Sequence, residues 1–200
     1  MAPKTPIPGI LFFNSDVINI QSLSRADFDL WYCDEHILDI VRQSGVTYAH
    51  RYEFVEDGAT PDRKLKYLTL YGMPDLNHMH TKELASLEGQ SAGPNKDHVF
   101  KNAEFDTPAY ATVQFDENKG ASKEPAPFLL MATIEHSSPS VLEEWYQGKH
   151  ISQISKVPTY RRMSRYQFKS RSLLSAFNRS HPTDNQPALA LHEFDGPEIP

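Results

Sequence analysis

Leu30-Trp31-Tyr32, His36-Ile37 and Arg51-Tyr52-Glu53-Phe54 return 114 positions later as Glu144-Trp145-Tyr146, His150-Ile151 and Arg165-Tyr166-Gln167-Phe168. Trp, Tyr, His, Ile, Arg, Tyr and Phe coincide without a gap, and the chain's two tryptophans form one of the pairs. So many uncommon residues in one register mark an internal duplication. Leu68-Thr69-Leu70-Tyr71-Gly72-Met73 then aligns with Leu189-Ala190-Leu191-His192-Glu193-Phe194 at an offset of 121. The second copy therefore carries seven extra residues, which fall in Arg171–Gln186, a polar stretch that reads as a loop.

The copies share one order of elements. Ile10–Asn14 and Phe128–Ile134 are short apolar runs that read as buried strands. Ser24 and Ser138 are N-cap candidates, and Pro139 suits a first helical position. Helices are expected over Arg25–Gln43 and Pro139–Lys156, stopped by Gly45 and Pro158. Val46–Val55 and Tyr160–Phe168, rich in Tyr, Phe and Val, read as strands, and Lys64–Gly72 and Ala188–Phe194 as third strands. In the first copy Asp75 is expected to cap a helix reaching about Leu87, Gly89–Asn102 to be mobile, and Ala109–Phe115 to form a fourth strand.

The pattern βαββαβ is the ferredoxin-like unit. The fold expected is α+β: two duplicated ferredoxin-like units packed sheet to sheet as a pseudo-dimer, with a cavity between the paired sheets. Residues 8–116 would form the first unit, 117–127 a polar linker, and 128–200 the second. The second is shortened, because Asp195–Pro200 is too short for a helix and a strand. A missing fourth strand leaves an edge that needs cover.

The chain has 200 residues, 39% hydrophobic and 23% charged, which is ordinary globular chemistry. A net charge of −6 is not the footprint of a nucleic-acid binder. No run approaches a membrane span, and the proline-rich start does not read as a signal peptide. The lone Cys33 excludes an internal disulfide and a Cys-rich metal site. A soluble, cytoplasmic protein is the expectation.

The segments FDLWYCDEHILDI…RYEF, LEEWYQGKHISQI…RYQF and ALALHEF resemble the EthD-domain proteins of fungi, members of the dimeric α/β-barrel superfamily. The likeness spans about Pro8 to Asp195. The resemblance implies a ferredoxin-like fold, barrel-type sheet pairing and a homodimer. It also implies cofactor-free chemistry: decarboxylases and dehydratases of fungal polyketide pathways, and, in the wider superfamily, monooxygenases, isomerases and cyclases. The shortened second copy departs from the family pattern.

No G-x-G-x-x-G follows a strand, and no phosphate loop or G-x-S-x-G elbow is present. No cofactor is therefore expected. No metal is expected either, since His78-x-His80 splays its rings on a polar helix. The matched His36 and His150 suit acid–base work. A structural reading stands beside this, because duplication alone would repeat histidines that tie helix to loop. On a wheel of about 100° per residue, Leu30, Ile37, Leu38 and Val41 share one face, with Asp34 inside it and His36 at its edge. A carboxylate there would have a raised pKa, or the helix is rotated and Asp34 reaches solvent.

In the third strand Leu68 and Leu70 alternate with Tyr67, Thr69 and Tyr71. The leucines fit the helix-covered face, so the tyrosines are expected to line the cavity. Tyr71 becomes His192 and Thr69 becomes Ala190 in the second copy. His50 and Tyr52 share one strand face; Arg51, matched by Arg165, takes the other, either holding a carboxylate or making an ion pair.

The function expected is a cofactor-free lyase or cyclase of fungal specialised metabolism, acting on a hydrophobic polyketide- or terpenoid-like molecule. The catalytic candidates are His36, Asp34, Tyr71, His192 and His150; Trp31, Tyr52, Tyr67, Thr69 and His50 are the substrate-binding ones. A cofactor-independent monooxygenase of a phenol and a non-catalytic binding protein are the alternatives.

Overall fold

The Ser24 hydroxyl accepts the Asp27 backbone N–H at 3.0 Å and so opens the first helix where the sequence places its cap. Gly45, at φ +67°, closes it. In the computed structural model, which describes residues 5–43, 45–55, 65–81, 96–133, 138–184 and 186–197, this helix has three parts. They are α1 (Arg25–Trp31), a π-helical turn (Tyr32–His36) and α2 (Ile37–Gln43). The second copy repeats them as α4 (Pro139–Trp145), a π turn (Tyr146–His150) and α5 (Ile151–Ile154).

The remaining elements are β1 (Gly9–Val17), β2 (Tyr48–Glu53), β3 (Tyr67–Met73), a 3₁₀ turn (Leu76–His80), α3 (Lys96–Asn102) and β4 (Ala103–Glu117). There follow β5 (Phe128–Thr133), β6 (Tyr160–Ser175), β7 (Asn178–Ser180) and β8 (Leu189–Phe194). The chain is thus α+β, and every pairing whose register is described is antiparallel. No helix among the described residues is long and apolar enough to cross a membrane.

The chain divides into two compact units, residues 1–111 with 169–184, and residues 112–168 with 185–200. In the first unit the strands run β2-β3-β1-β4. Leu11, Ile40, Val46, Tyr71, Met73 and Leu76 form one core cluster. Phe28, Trp31, Tyr32, Val99, Phe100 and Phe105 lead a second, aromatic one. In the second unit β4 neighbours β6, then β8, then β5. Tyr146, Ile154, Tyr160, Met163 and Phe194 form its core. β5 ends that order, with no further strand beside it among the described residues. Residues 118–127 carry no helix or strand. Asn118 ties them to β6, its backbone N–H donating to the Arg161 carbonyl at 2.8 Å.

Several expectations change here. Arg171–Gln186 is not a loop throughout. β6 continues to Ser175, turns at Ala176 and Phe177, both with positive φ, and returns as β7. A two-residue turn with positive φ at both positions matches hairpin twist, and this one is built without glycine or asparagine, so the sequence hides it. Asp75 caps only the 3₁₀ turn, accepting from the Asn77 N–H at 3.0 Å. The rest of that expected helix lies outside the described residues. Within Gly89–Asn102, held to be mobile, Lys96–Asn102 is helix α3, whose Val99 and Phe100 are buried; residues 89–95 lie outside the description.

The wheel is also overturned. Leu30 is 61% exposed, and Leu38 and Val41 are exposed too. Phe28, Trp31, Tyr32, His36 and Ile40 face the core instead. A π turn holds more residues per turn than an α-helix, so a uniform 100° count misplaces every residue beyond it.

Candidate functional site: matched Trp-Tyr-His-Arg clusters

In an α-helix, residues five apart point about 140° away from each other. A π turn bonds residue i to i+5 and brings them over one another. Ile37 N–H donates to the Tyr32 carbonyl, and Ile151 N–H to that of Tyr146. His36 consequently stacks on Trp31, with centroids 4.9 Å apart and 19° between planes, and meets the Tyr32 ring edge-on at 4.9 Å. His150 repeats the arrangement on Trp145 at 4.4 Å and 26°, and on Tyr146 at 5.1 Å.

An arginine covers each tyrosine. Arg51 lies 4.0 Å above Tyr32, and Arg165 lies 3.9 Å above Tyr146. Each is held by an acid from the first helical segment: Arg51 Nε donates to Asp29 at 2.9 Å, and Arg165 Nη1 to Glu143 at 2.8 Å. Asp29 and Glu143 are themselves 114 positions apart, so the duplication reaches the ion pair. The arginines are thus ion-paired and cation–π bound.

Two positions on the third strand of each copy differ. In the first unit Arg51 Nη1 donates to Thr69 Oγ1 at 3.2 Å, and the Tyr71 hydroxyl lies 3.5 Å from that of Tyr32. Burial pushes both phenols up, Tyr71 well above its usual value. In the second unit Ala190 and His192 stand there, and the His192 ring meets His150 edge-on at 5.1 Å. Burial lowers His36 to about 3, with the Arg51 cation adding to the effect. Burial and then His150 lower His192 to about 4, and His150 is lowered by burial and Arg165. All three imidazoles are therefore neutral at neutral pH. His36 Nε2, His150 Nε2 and His192 Nδ1 are buried without a hydrogen-bond partner. A buried polar atom without a partner needs an explanation, and one explanation is a ligand.

Two hollows flank the Trp31–His36 stack. A cleft of about 390 Å³ is lined by Leu23, Leu30, Trp31 and Val99, with Asp27, Asp34, Glu35 and His98. A smaller cavity of about 30 Å³ is walled by Phe13, Phe100, Phe105 and Leu174, with His36, Thr107, Ser172 and Arg179.

Trp31 and Asp34 thus line the cleft, while His36 lines the cavity. Asp34 is exposed, not held on an apolar face, because it follows Leu30 by about one turn and shares its solvent side. Tyr67, Thr69 and Tyr71 lie on the helix-covered face: Tyr67 packs 6.1 Å from Phe28, and Tyr71 is fully buried beside Phe13. The expected orientation of β3 is therefore reversed. Alternation separates the leucines from the tyrosines but does not say which set meets the helix. The aromatic surface of Phe28 and Tyr32, capped by Arg51, favours the tyrosines. His50 and Tyr52 pair across from Leu70 and Leu68 and occupy the opposite face, apart from His36. His150 and His192 meet in the second unit.

Sequence reasoning missed Phe105, Thr107, Ser172, Leu174 and Arg179. For Ser172, Leu174 and Arg179 the signal available was the seven-residue excess of the second copy.

No protein-family model matches the chain. It is 27% identical over 201 residues to core atranone cluster protein 1 of Stachybotrys chlorohalonatus, covering 94% of this chain and 82% of that protein. Its fold is that of an anthrone oxidase-like protein (TM-score 0.54, 11% identity, 95% of this chain and 74% of the other). A candidate monooxygenase of Fusobacterium nucleatum is similar as well (TM-score 0.51, 6% identity, 98% and 79%).

Proposed function

We propose that the protein is a cofactor-free enzyme of fungal specialised metabolism that moves a proton on a hydrophobic, oxygenated small molecule. The chemistry is decarboxylation, dehydration or ring closure. One observation carries this reading: His36, 5% exposed, keeps Nε2 unpartnered at the edge of a phenylalanine-walled cavity. A neutral imidazole accepts a substrate proton, and negative charge developing on the substrate then stabilises the imidazolium. Trp31 fixes the ring from behind, so the acceptor is pre-oriented. The cluster-protein relative supports the specialised-metabolism setting.

A second reading, a cofactor-independent monooxygenase of a phenol, is favoured by the descriptions of the two structural neighbours. The same base would serve it, since deprotonation precedes attack on oxygen. We also read the strand order β2-β3-β1-β4 and the matched clusters as support for duplicated ferredoxin-like units of the EthD type, and we propose a cytoplasmic homodimer on the sequence resemblance alone.

The test is incubation of the protein with an extract of the producing strain lacking this gene, with and without air, followed by mass spectrometry. A product lighter by carbon dioxide or water, or an isomer of unchanged mass, supports lyase or cyclase chemistry. Oxygen gained only in air moves the monooxygenase to first place. A metabolite retained unchanged in both tubes would replace both by a binding role.

A further inference from the structure

The cleft beside Trp31 is acidic and apolar at once. The buried Leu23, Trp31 and Val99 join the exposed Leu30 in its wall, and Asp27, Asp34 and Glu35 bring three carboxylates. Among the described residues no lysine or arginine shares that lining. The fold does not require these acids, because Val141, Gly148 and Lys149 stand at the matched positions of the second copy.

Two buried atoms of this wall are unmatched, and their needs are opposite. Trp31, 3% exposed, keeps its Nε1–H without an acceptor, and Glu35 Oε2 is buried without a donor. Buried polar groups are normally satisfied, so each calls for a partner from outside the chain. Asp27 and His98 are already engaged. The Asp27 carboxylate accepts the Ser24 hydroxyl at 2.6 Å, and His98 Nε2–H donates to the Ser22 carbonyl at 2.8 Å.

The chemistry of the lining selects its guest. An anion would be repelled by the carboxylates, and a hydrocarbon would leave both unmatched atoms desolvated. A metal ion is poorly served, since among the described residues no three ligating side chains gather around one point. An ammonium with an oxygen close by satisfies both atoms: its N–H donates to Glu35, and its oxygen accepts from Trp31 Nε1. At about 390 Å³ the cleft also has room for an apolar body against Leu23 and Val99.

We propose that this cleft binds a small amphiphilic ammonium compound carrying a hydroxyl or carbonyl oxygen. The site is separate from the proton acceptor proposed at His36, and neither reading needs the other.

The test is calorimetric binding of phenylethanolamine, phenylethylamine and styrene glycol to the full chain. The same titrations are followed by Trp31 fluorescence in a Trp145→Phe background, which reports the place of binding. Wild type should bind phenylethanolamine about tenfold or more tightly than the glycol, which replaces the ammonium by a hydroxyl, and severalfold more tightly than phenylethylamine, which lacks the oxygen. The double variant Asp34→Asn, Glu35→Gln should erase the preference for the ammonium. Asp34→Asn alone, at an exposed position, should lose part of it and serves if the double variant does not fold. Equal binding of the glycol and phenylethanolamine, an unchanged preference in the folded variants, or no binding to wild type at millimolar concentration overturns the proposal. Phenylethylamine bound as tightly as phenylethanolamine overturns the part given to Trp31.

Discussion

Trp31 and His36 are five residues apart, yet their rings stack at 4.9 Å, because the helix takes a π turn between Tyr32 and His36. Deleting Glu35 would return this stretch to α-helix and swing every later residue about 100°. The deletion should unstack the pair and destabilise the chain by about 3 kcal/mol, as burial at Ile37 and Ile40 is lost. In a Trp145→Phe background Trp31 is the sole tryptophan. Its fluorescence should move to the red in the deletion, and unchanged emission would show that the stack does not depend on the π turn.

Acid should weaken the fold through the histidines. His36 is lowered to about 3 and His192 to about 4, against 6.5 for a free imidazole. Both are neutral in the fold, and the unfolded chain takes up their protons first. Their stabilisation is complete above pH 6.5 and is lost as pH falls toward those values. Each such proton costs about 1.4 kcal/mol per pH unit. Urea midpoints at pH 7.5 and pH 5 measure the slope, and His192→Tyr, the first-copy residue, should shrink it by one proton's share.

Arg51 joins three elements: Asp29 by an ion pair, Thr69 by a hydrogen bond, and Tyr32 and Tyr67 by its planar face at 4.0 and 4.4 Å. Arg51→Met should cost about 2–3 kcal/mol, and Arg51→Lys should recover less than half, since an ammonium cannot lie flat between two rings while reaching Asp29. The Met variant also removes one cause of the lowered His36 value, so His36 should titrate nearer to 6.5 by NMR.

The duplicated residues made the skeleton readable. Trp31/Trp145, His36/His150 and Arg51/Arg165 are large or charged, and their shared spacing survives because each pair does the same packing job in its unit. The Ser24 cap and the order of helix and strands followed from short-range chemistry. What failed were questions that local patterns do not decide. The face of β3 depended on partners from another element, and the turn at Ala176-Phe177 on backbone angles those residues seldom adopt. Asp34 was misplaced because Leu30, one turn before it, reads as core in the sequence and is exposed in the structure. Arg179 was missed because it reaches the cavity from a hairpin read as loop.

In the proposed reaction neutral, buried His36 takes the substrate's proton. Once the extract assay supplies a substrate, turnover by wild type and His36→Gln across pH 5–8 tests it directly. The variant should lose about 10²- to 10⁴-fold in kcat/KM with an unchanged fold. The wild-type profile should show no acid limb near pH 6.5, since His36 stays neutral well below that. Full turnover by His36→Gln, or a wild-type limb centred near pH 6.5, would contradict it.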